Sequence, residues 1–272
     1  MEKVSIVLPT YNRAYCIERS IDSVLRQTYT EFELLVIDDC STDGTETLIR
    51  QIAKKDDRVR YFKQPQNRGV AAARNEGIRR SQCPCIAFQD SDDVWKADKL
   101  EKQMHVMKEQ PETGMVYCVL EGRKKDGTLI HIPDGAMEKS GLQGDMYRLL
   151  LQANVIDAPT AVVRRECLEQ TGLFDEDLIC LEDWELFLRI AKDWKIGYVD
   201  EALLVSDIHE GGVSSRVGGY FQARCKMIAL HRAALVEYGL FDQVIRRLLL
   251  MAKETGTMEQ VTQMLERTLT AS

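Results

Sequence analysis

Three carboxylates crowd the segment Asp90-Ser91-Asp92-Asp93, directly after the apolar run Cys85-Ile86-Ala87-Phe88. Like charges this close disfavour one another unless something positive stands among them, and a divalent cation is a compact remedy at the carboxyl end of a strand. Mg²⁺ takes one or two protein carboxylates and fills the rest of its shell with water and substrate phosphate oxygens, so the pattern predicts a metal–diphosphate site. The competing account is a turn rich in Asp and Ser that caps a helix expected over about 96–109.

Other residues able to do chemistry also follow apolar runs. Pro9-Thr10-Tyr11-Asn12-Arg13 comes after Val4-Ser5-Ile6-Val7-Leu8 and brings an aromatic ring and a guanidinium, suited to stacking on a base and neutralising phosphate. The plain alternative is a turn whose Tyr11 packs on the sheet edge. Asp38 and Asp39 close the run 32–37, where a carboxylate can accept from a pyrimidine imide or a ribose hydroxyl. Residues 41–45 need only ordinary helix-capping chemistry. Asn67-Arg68-Gly69 suits the tight entry to a further helix. Arg74, about one turn in, can face a ligand beside Asp39 or pair with Glu76 or solvent. Glu182-Asp183-Trp184 opens a later amphipathic stretch. Carboxylates there suit the positive end of a helix dipole, and one held beside the apolar Trp184 could act as general base toward an incoming hydroxyl. His209 precedes Glu210-Gly211-Gly212; a lone His is usually structural, but in such a loop an imidazole could reach a metal.

These residues need elements to position them. Strands are expected at 4–8, 32–37, 59–62 and 85–88, each followed by a helix: Ile17, Ile21, Val24 and Leu25 share one face, and Leu48, Ile49 and Ile52 another. Strands and helices alternating every 25 to 30 residues or so predict a parallel sheet with a crevice at its carboxyl ends. No G-x-G-x-x-G follows the first strand and no G-x-x-x-x-G-K-[ST] occurs anywhere, so neither a dinucleotide fingerprint nor a P-loop accounts for the loops. Beyond Pro111 the pattern changes. Strands at 114–120 and 129–132 flank Lys124-Lys125-Asp126-Gly127 as a hairpin, a short strand is expected at 160–163, a short helix at 166–171 and a strand at 203–208. From about Tyr220 the chain is helical by period, with packing or assembly rather than chemistry to offer.

A net charge of −7 excludes a general nucleic-acid binder, whose affinity rests on basic patches. The eight cysteines are scattered and no secretory segment precedes Lys3, so reduced cytosolic thiols are expected; Cys83-Pro-Cys85, without a second pair or a nearby His, is a weak zinc signal. No apolar stretch is long enough to span a bilayer, which leaves peripheral contact with a membrane-borne substrate open.

Taken together, the Val4-to-Arg13 segment, Asp38-Asp39-Cys40-Ser41-Thr42-Asp43-Gly44-Thr45, Asn67-Arg68-Gly69 with Ala73-Arg74-Asn75, Asp90-Ser91-Asp92-Asp93 and Glu182-Asp183-Trp184 resemble the family 2 glycosyltransferases of the GT-A fold over about residues 3–214. The resemblance implies an α/β fold: a Rossmann-like, mostly parallel central sheet flanked by helices, with a smaller acceptor-side sheet and C-terminal helices. It divides the chain into a donor-binding half at 1–110, an acceptor-binding and catalytic half at 111–215 and a helical extension at 216–272. It implies inverting, metal-dependent transfer from a nucleotide diphosphate sugar, most simply a UDP-sugar, to a hydroxyl of a glycan, lipid-linked or other acceptor, on the cytoplasmic side and reaching the inner membrane face. Pro9, Thr10, Tyr11, Arg13, Asp39, Asn67, Arg74, Asp90 and Ser91 would hold the nucleotide. Asp92, with Asp90 and His209, would hold Mn²⁺ or Mg²⁺, and Asp183 would be the base. Ser206 and Asp207 depart from the Tyr and Arg that members often carry before the His. A homodimer contact would fall on the C-terminal helices. The rival enzyme is a nucleotidyltransferase, which would carry a Gly-rich triphosphate loop where Pro9 to Arg13 stand; a non-catalytic nucleotide-binding protein that kept the fold is the other alternative.

Overall fold

Largely apolar runs need cover on both faces, and the first, second and fourth strands, polar inside only at Ser5 and Glu33 and at their ends, have it. The computed structural model describes residues 2–135, 137–208 and 217–271. β1 (Val4–Thr10), α1 (Ile17–Leu25), β2 (Phe32–Asp38), α2 (Thr45–Ala53), β3 (Val59–Lys63), α3 (Val70–Arg80) and β4 (Cys85–Phe88) follow one another in βαβ units. β1 pairs in parallel with β2 on one side and β4 on the other, and β3 joins in parallel outside β2. Alternate side chains enter two cores. Val7, Leu35, Ile37, Ile86 and Phe88 face the cluster that includes Ala71, Ala73 and Ile78 of α3. Ile6, Leu8, Leu34, Val36 and Ala87 face Ile17, Ile21, Val24 and Ile49 of α1 and α2. Continuous apolar strands are what a doubly covered parallel sheet requires.

The second half extends the same sheet: β5 (Val94–Trp95), α4 (Lys99–Glu109), β6 (Thr113–Arg123), β7 (Leu129–Ile132), α5 (Tyr147–Leu150), β8 (Val162–Arg164), α6 (Arg165–Thr171), α7 (Glu182–Asp193) and β9 (Lys195–Asp207). The order is β3-β2-β1-β4-β8-β6-β9-β5, with β7 on β6. The hairpin forms as expected, Leu120 opposite Ile132, with Gly127 turning at φ +84°. Three boundaries differ from expectation. The helix expected from about Lys96 begins at Lys99, because Val94 and Trp95 are drawn into antiparallel pairing with β9. The strand expected at 160–163 starts at Val162, since Ala158–Thr160, carrying Pro159, closes a 3-10 turn instead. The strand expected at 203–208 is the end of a 13-residue β9 that runs beside β6 with register shifts, and such irregular pairing leaves no simple alternation to read.

α8 (Val217–Leu230), α9 (Arg232–Glu237), α10 (Phe241–Glu254) and α11 (Met258–Ala271) complete the chain. Phe221, Leu235, Val244, Leu248 and Val261 share one buried cluster with Trp184 and Phe187 of α7. All eight cysteines are free thiols. Among the described residues, no helix is long and apolar enough to cross a membrane.

Candidate active site

The loops after β1, β2 and β4 meet at the carboxyl ends of their strands. Asn12, at φ 53°, takes Ser41 Oγ on its backbone N–H at 2.9 Å, and Arg13 N donates to Thr45 Oγ1 at 2.9 Å, so the first two loops brace each other. Pro9 and Thr10 end β1 as buried residues, and the Thr10 hydroxyl has no hydrogen-bond partner among the described residues. Tyr11 is 45% exposed. Asp38 is spent on structure, accepting from Ser41 N at 2.7 Å and from the Tyr61 hydroxyl at 2.5 Å. Asp39 accepts from Arg68 N and Gly69 N, both at 2.8 Å, and from Gln64 Nε2 at 3.1 Å, which ties the β2 end to the start of α3. Burial pushes its carboxyl up, against the pull of those N–H groups. Asn67 lies exposed in the same loop.

Of the alternatives for Arg74, pairing with Glu76 or with solvent does not occur. Its guanidinium, 4% exposed, donates to Asp90 Oδ1 at 2.9 Å and to Glu182 Oε1 at 2.5 Å, while Glu76 pairs with Arg80. Phe174 lies under it, 5.5 Å from guanidinium carbon to ring centroid. The physical reason is burial: a cation on the inner face of α3 must find carboxylates in the protein. Arg74 thus joins the Asp90–Asp93 loop to the start of α7.

Asp183 stands at that helix start, with the preceding Leu181 in the left-handed region at φ 62°. Its Oδ2 accepts from Ala158 N at 3.1 Å and its Oδ1 from Trp184 N at 2.7 Å. Burial, then the charges of Glu182 and Asp157, push its carboxyl up to about 7, with Arg74 opposing. Asp157 is likewise raised to about 6, by burial and by Asp90. The expectation of a carboxylate beside an apolar Trp184 needs one refinement: the indole is turned away, its Nε1 donating to Leu150 O at 2.7 Å and its ring covered by Arg224. The acidity of Asp183 is set by its neighbouring carboxylates and by burial.

On the Asp90–Asp93 loop, Ser91 is buried and Asp92 is about a third exposed, its Oδ2 3.6 Å from Arg13 Nη2. Asp90 keeps one oxygen clear of Arg74. Two carboxylates with open oxygens on one loop fit a hard cation that draws its other ligands from water and a diphosphate. Among the described residues no three Asp, Glu, His or Cys side chains converge as a complete ligand set, and His209 lies outside the described residues. Asp93 is buried and its carboxyl is held well above the usual range by burial and by Asp90, with a hydrogen bond from Ser206 opposing. Asp207 accepts from Arg19 Nη2 at 2.9 Å, and the same nitrogen donates to Asp92 O at 2.9 Å. The two departures at 206 and 207 therefore both tie the end of β9 to the Asp90–Asp93 loop. Sequence reasoning missed Asp157, Glu182 as the partner of Arg74, and Arg19. Asp157 precedes a Pro-bearing turn and carries no motif; Glu182 was visible only as a helix-start acid.

The family model for glycosyl transferase family 2 matches residues 5–172. The chain belongs to that family. Among its relatives, TuaG of Bacillus subtilis (strain 168), whose name assigns it to teichuronic acid biosynthesis, is 37% identical over 62% of this chain and 64% of TuaG. The Escherichia coli UDP-Glc:alpha-D-GlcNAc-diphosphoundecaprenol beta-1,3-glucosyltransferase WfgD is 33% identical over 75% of both chains. This chain spans less than two thirds of TuaG and 32% or less of several Rickettsia relatives. The mannosyltransferase PcManGT of Pyrobaculum calidifontis, solved with GDP-Man and Mn²⁺, superposes with a TM-score of 0.66 at 20% identity, covering all of this chain and 76% of that one. The likeness shows the fold: this family 2 member has the GT-A architecture.

Proposed function

We propose that this family 2 member transfers a sugar, with inversion, from a nucleotide diphosphate donor to an acceptor hydroxyl. One observation carries the reading: Asp183, with its carboxyl pushed up to about 7, and Asp90 of the metal loop sit around the same buried Arg74 guanidinium. A base poised near neutrality would thus lie within reach of the same cation that holds a cation-binding carboxylate, as a displacement between an attacking hydroxyl and a departing diphosphate requires.

Asp39, Thr10, Tyr11, Arg13 and Asn67 border the nucleotide. Asp92 and Asp90 would hold Mn²⁺ or Mg²⁺, which would stabilise the charge gathering on the diphosphate. Asp183 takes the proton of the acceptor hydroxyl as its oxygen bonds to the anomeric carbon; the carbon–oxygen bond to the diphosphate breaks and its electron pair leaves with the nucleoside diphosphate. Arg74 stays on Asp90 and Glu182 and keeps both carboxylates in place. The WfgD name, with its UDP-glucose donor and lipid diphosphate acceptor, supports UDP as the nucleotide and a lipid-linked glycan as acceptor; the Mn²⁺ in PcManGT supports the metal.

The test is nucleoside diphosphate release from a panel of UDP-, GDP- and dTDP-sugars with Mn²⁺, with the anomeric configuration of the transferred sugar read by NMR. Release from a UDP-sugar with inverted product is expected. No release from any donor overturns the proposal, and a retained configuration removes Asp183 as base.

A further inference from the structure

Gln103 is wholly buried on α4, and its side-chain amide is bonded on every side. Lys99 Nζ donates to its Oε1 at 2.7 Å, while its Nε2 donates to Val116 O at 3.1 Å and to Thr160 O at 2.8 Å. Lys99 is itself fully buried, with Nζ 4.0 Å from the ring centroid of Trp95 at the end of β5. A side chain that only donates therefore meets the amide on one side and two carbonyls on the other, which leaves a single orientation. A buried amide and amine are costly in an apolar helix face unless fully bonded, and packing alone would be met by apolar residues. Thr160 closes the 3-10 turn Ala158–Thr160, whose first N–H donates to Asp183 Oδ2 at 3.1 Å. The same turn leads into Ala161, whose carbonyl accepts from Phe88 N at 3.4 Å, just ahead of the metal loop.

We infer that Gln103, its amide oriented by Lys99, is a positioning residue for transfer: it holds the Ala158–Thr160 turn where the Ala158 N–H meets and aims Asp183. The inference rests on the transferase reading and on Asp183 as the base. It assigns a role to two residues that touch neither donor nor acceptor. α4 thereby links the strand beyond the metal loop to the turn beneath the base.

The test is Gln103→Met, which keeps length and apolar volume but removes the donors to Thr160 and Val116. Mn²⁺-dependent UDP affinity should stay within about 2-fold while kcat falls ~10- to 100-fold, the order expected when a reacting group is slightly misplaced. The acid limb of the kcat profile should move to higher pH, because Asp183 loses a donor to its charged form. Lys99→Met should shift the same quantities in the same direction, and it carries the test should Gln103→Met not fold. Exchange protection of the Ala158 amide, which reads the turn without turnover, should drop in either variant. A folded variant with wild-type kcat, pH limb and Ala158 protection overturns the inference, as does an equal loss of UDP affinity and kcat. A wild-type protein that transfers no sugar, with Ala158 protection still dependent on Gln103, sinks the transferase reading and leaves the positional link standing.

Discussion

Asp183 is the residue on which the proposed chemistry turns, and its surroundings make two different measurements diagnostic. Asp183→Asn should lower kcat by about 10²- to 10⁴-fold while donor binding stays close to wild type, the usual worth of a positioned base; normal turnover in single-turnover assays would sink the assignment. Wild-type kcat/KM should rise with pH through about 7, where the carboxyl loses its proton. The same shift has a stability consequence. The folded-state value lies above the ordinary carboxylate range, so between about pH 4 and 7 the native state holds a proton that the unfolded chain has lost, and stability falls as pH rises through that window. Asp183→Asn should therefore melt higher than wild type at pH 8 and show little gain at pH 4. Arg74 is the opposite case. Arg74→Met leaves Glu182, 8% exposed, as an uncompensated buried charge, and should cost about 3–5 kcal/mol in urea unfolding. Arg74→Lys should recover little of this, because one ammonium cannot reproduce a fork that reaches Asp90 and Glu182 with separate nitrogens.

Helix α3 carries Arg74 to these partners by lying close on β1. At Gly77, a Cβ would meet Val7 Cγ1 at 2.3 Å, so the approach depends on the missing side chain. Gly77→Ala should destabilise by about 1–3 kcal/mol, the cost of overpacking, with the urea m-value unchanged. Gly218→Ala, in α8 with nothing among the described residues within 4 Å of its Cβ, serves as control and should stabilise by about 0.4–1 kcal/mol. Equal effects at the two positions would show that α3 does not need the close approach. At the same scale, α7 works through its first turn alone: Glu182 and Asp183 face the site, while Leu186, Phe187 and Ile190 fill the core.

Across the whole molecule, one sheet carries the Asp90–Asp93 loop, the proposed metal site, on its parallel side, and a helix on its mixed side carries Asp183, the proposed base. The two functions should separate on chelation. Removing divalent metal with EDTA, or Asp92→Asn, should weaken UDP binding by at least about 10-fold by calorimetry, since one or two carboxylates and the diphosphate share the cation. Asp183→Asn should leave that affinity unchanged. UDP affinity indifferent to EDTA would remove Asp90 and Asp92 from a metal role.

The chain's local chemistry determined the β1-to-β4 units, because buried parallel strands are unbroken apolar runs and their helices repeat with period 3.6. It also determined that the reactive residues end strands or begin helices, since Asp39, Asp90, Asp92 and Asp183 each stand where an apolar run stops or starts. Tertiary structure alone decided how those carboxylates are used. Arg74 and Glu182 are 108 residues apart and nothing in either segment names the other; burial of a cation on α3 selects the partner. Asp157 comes near Asp183 because the Ala158–Thr160 turn docks on the start of α7, and its charge adds to burial and Glu182 in pushing the Asp183 carboxyl up. β5 is two residues long and exists only through its pairing with β9. Periodicity records which face of an element is buried, and it carries no record of what is buried against it.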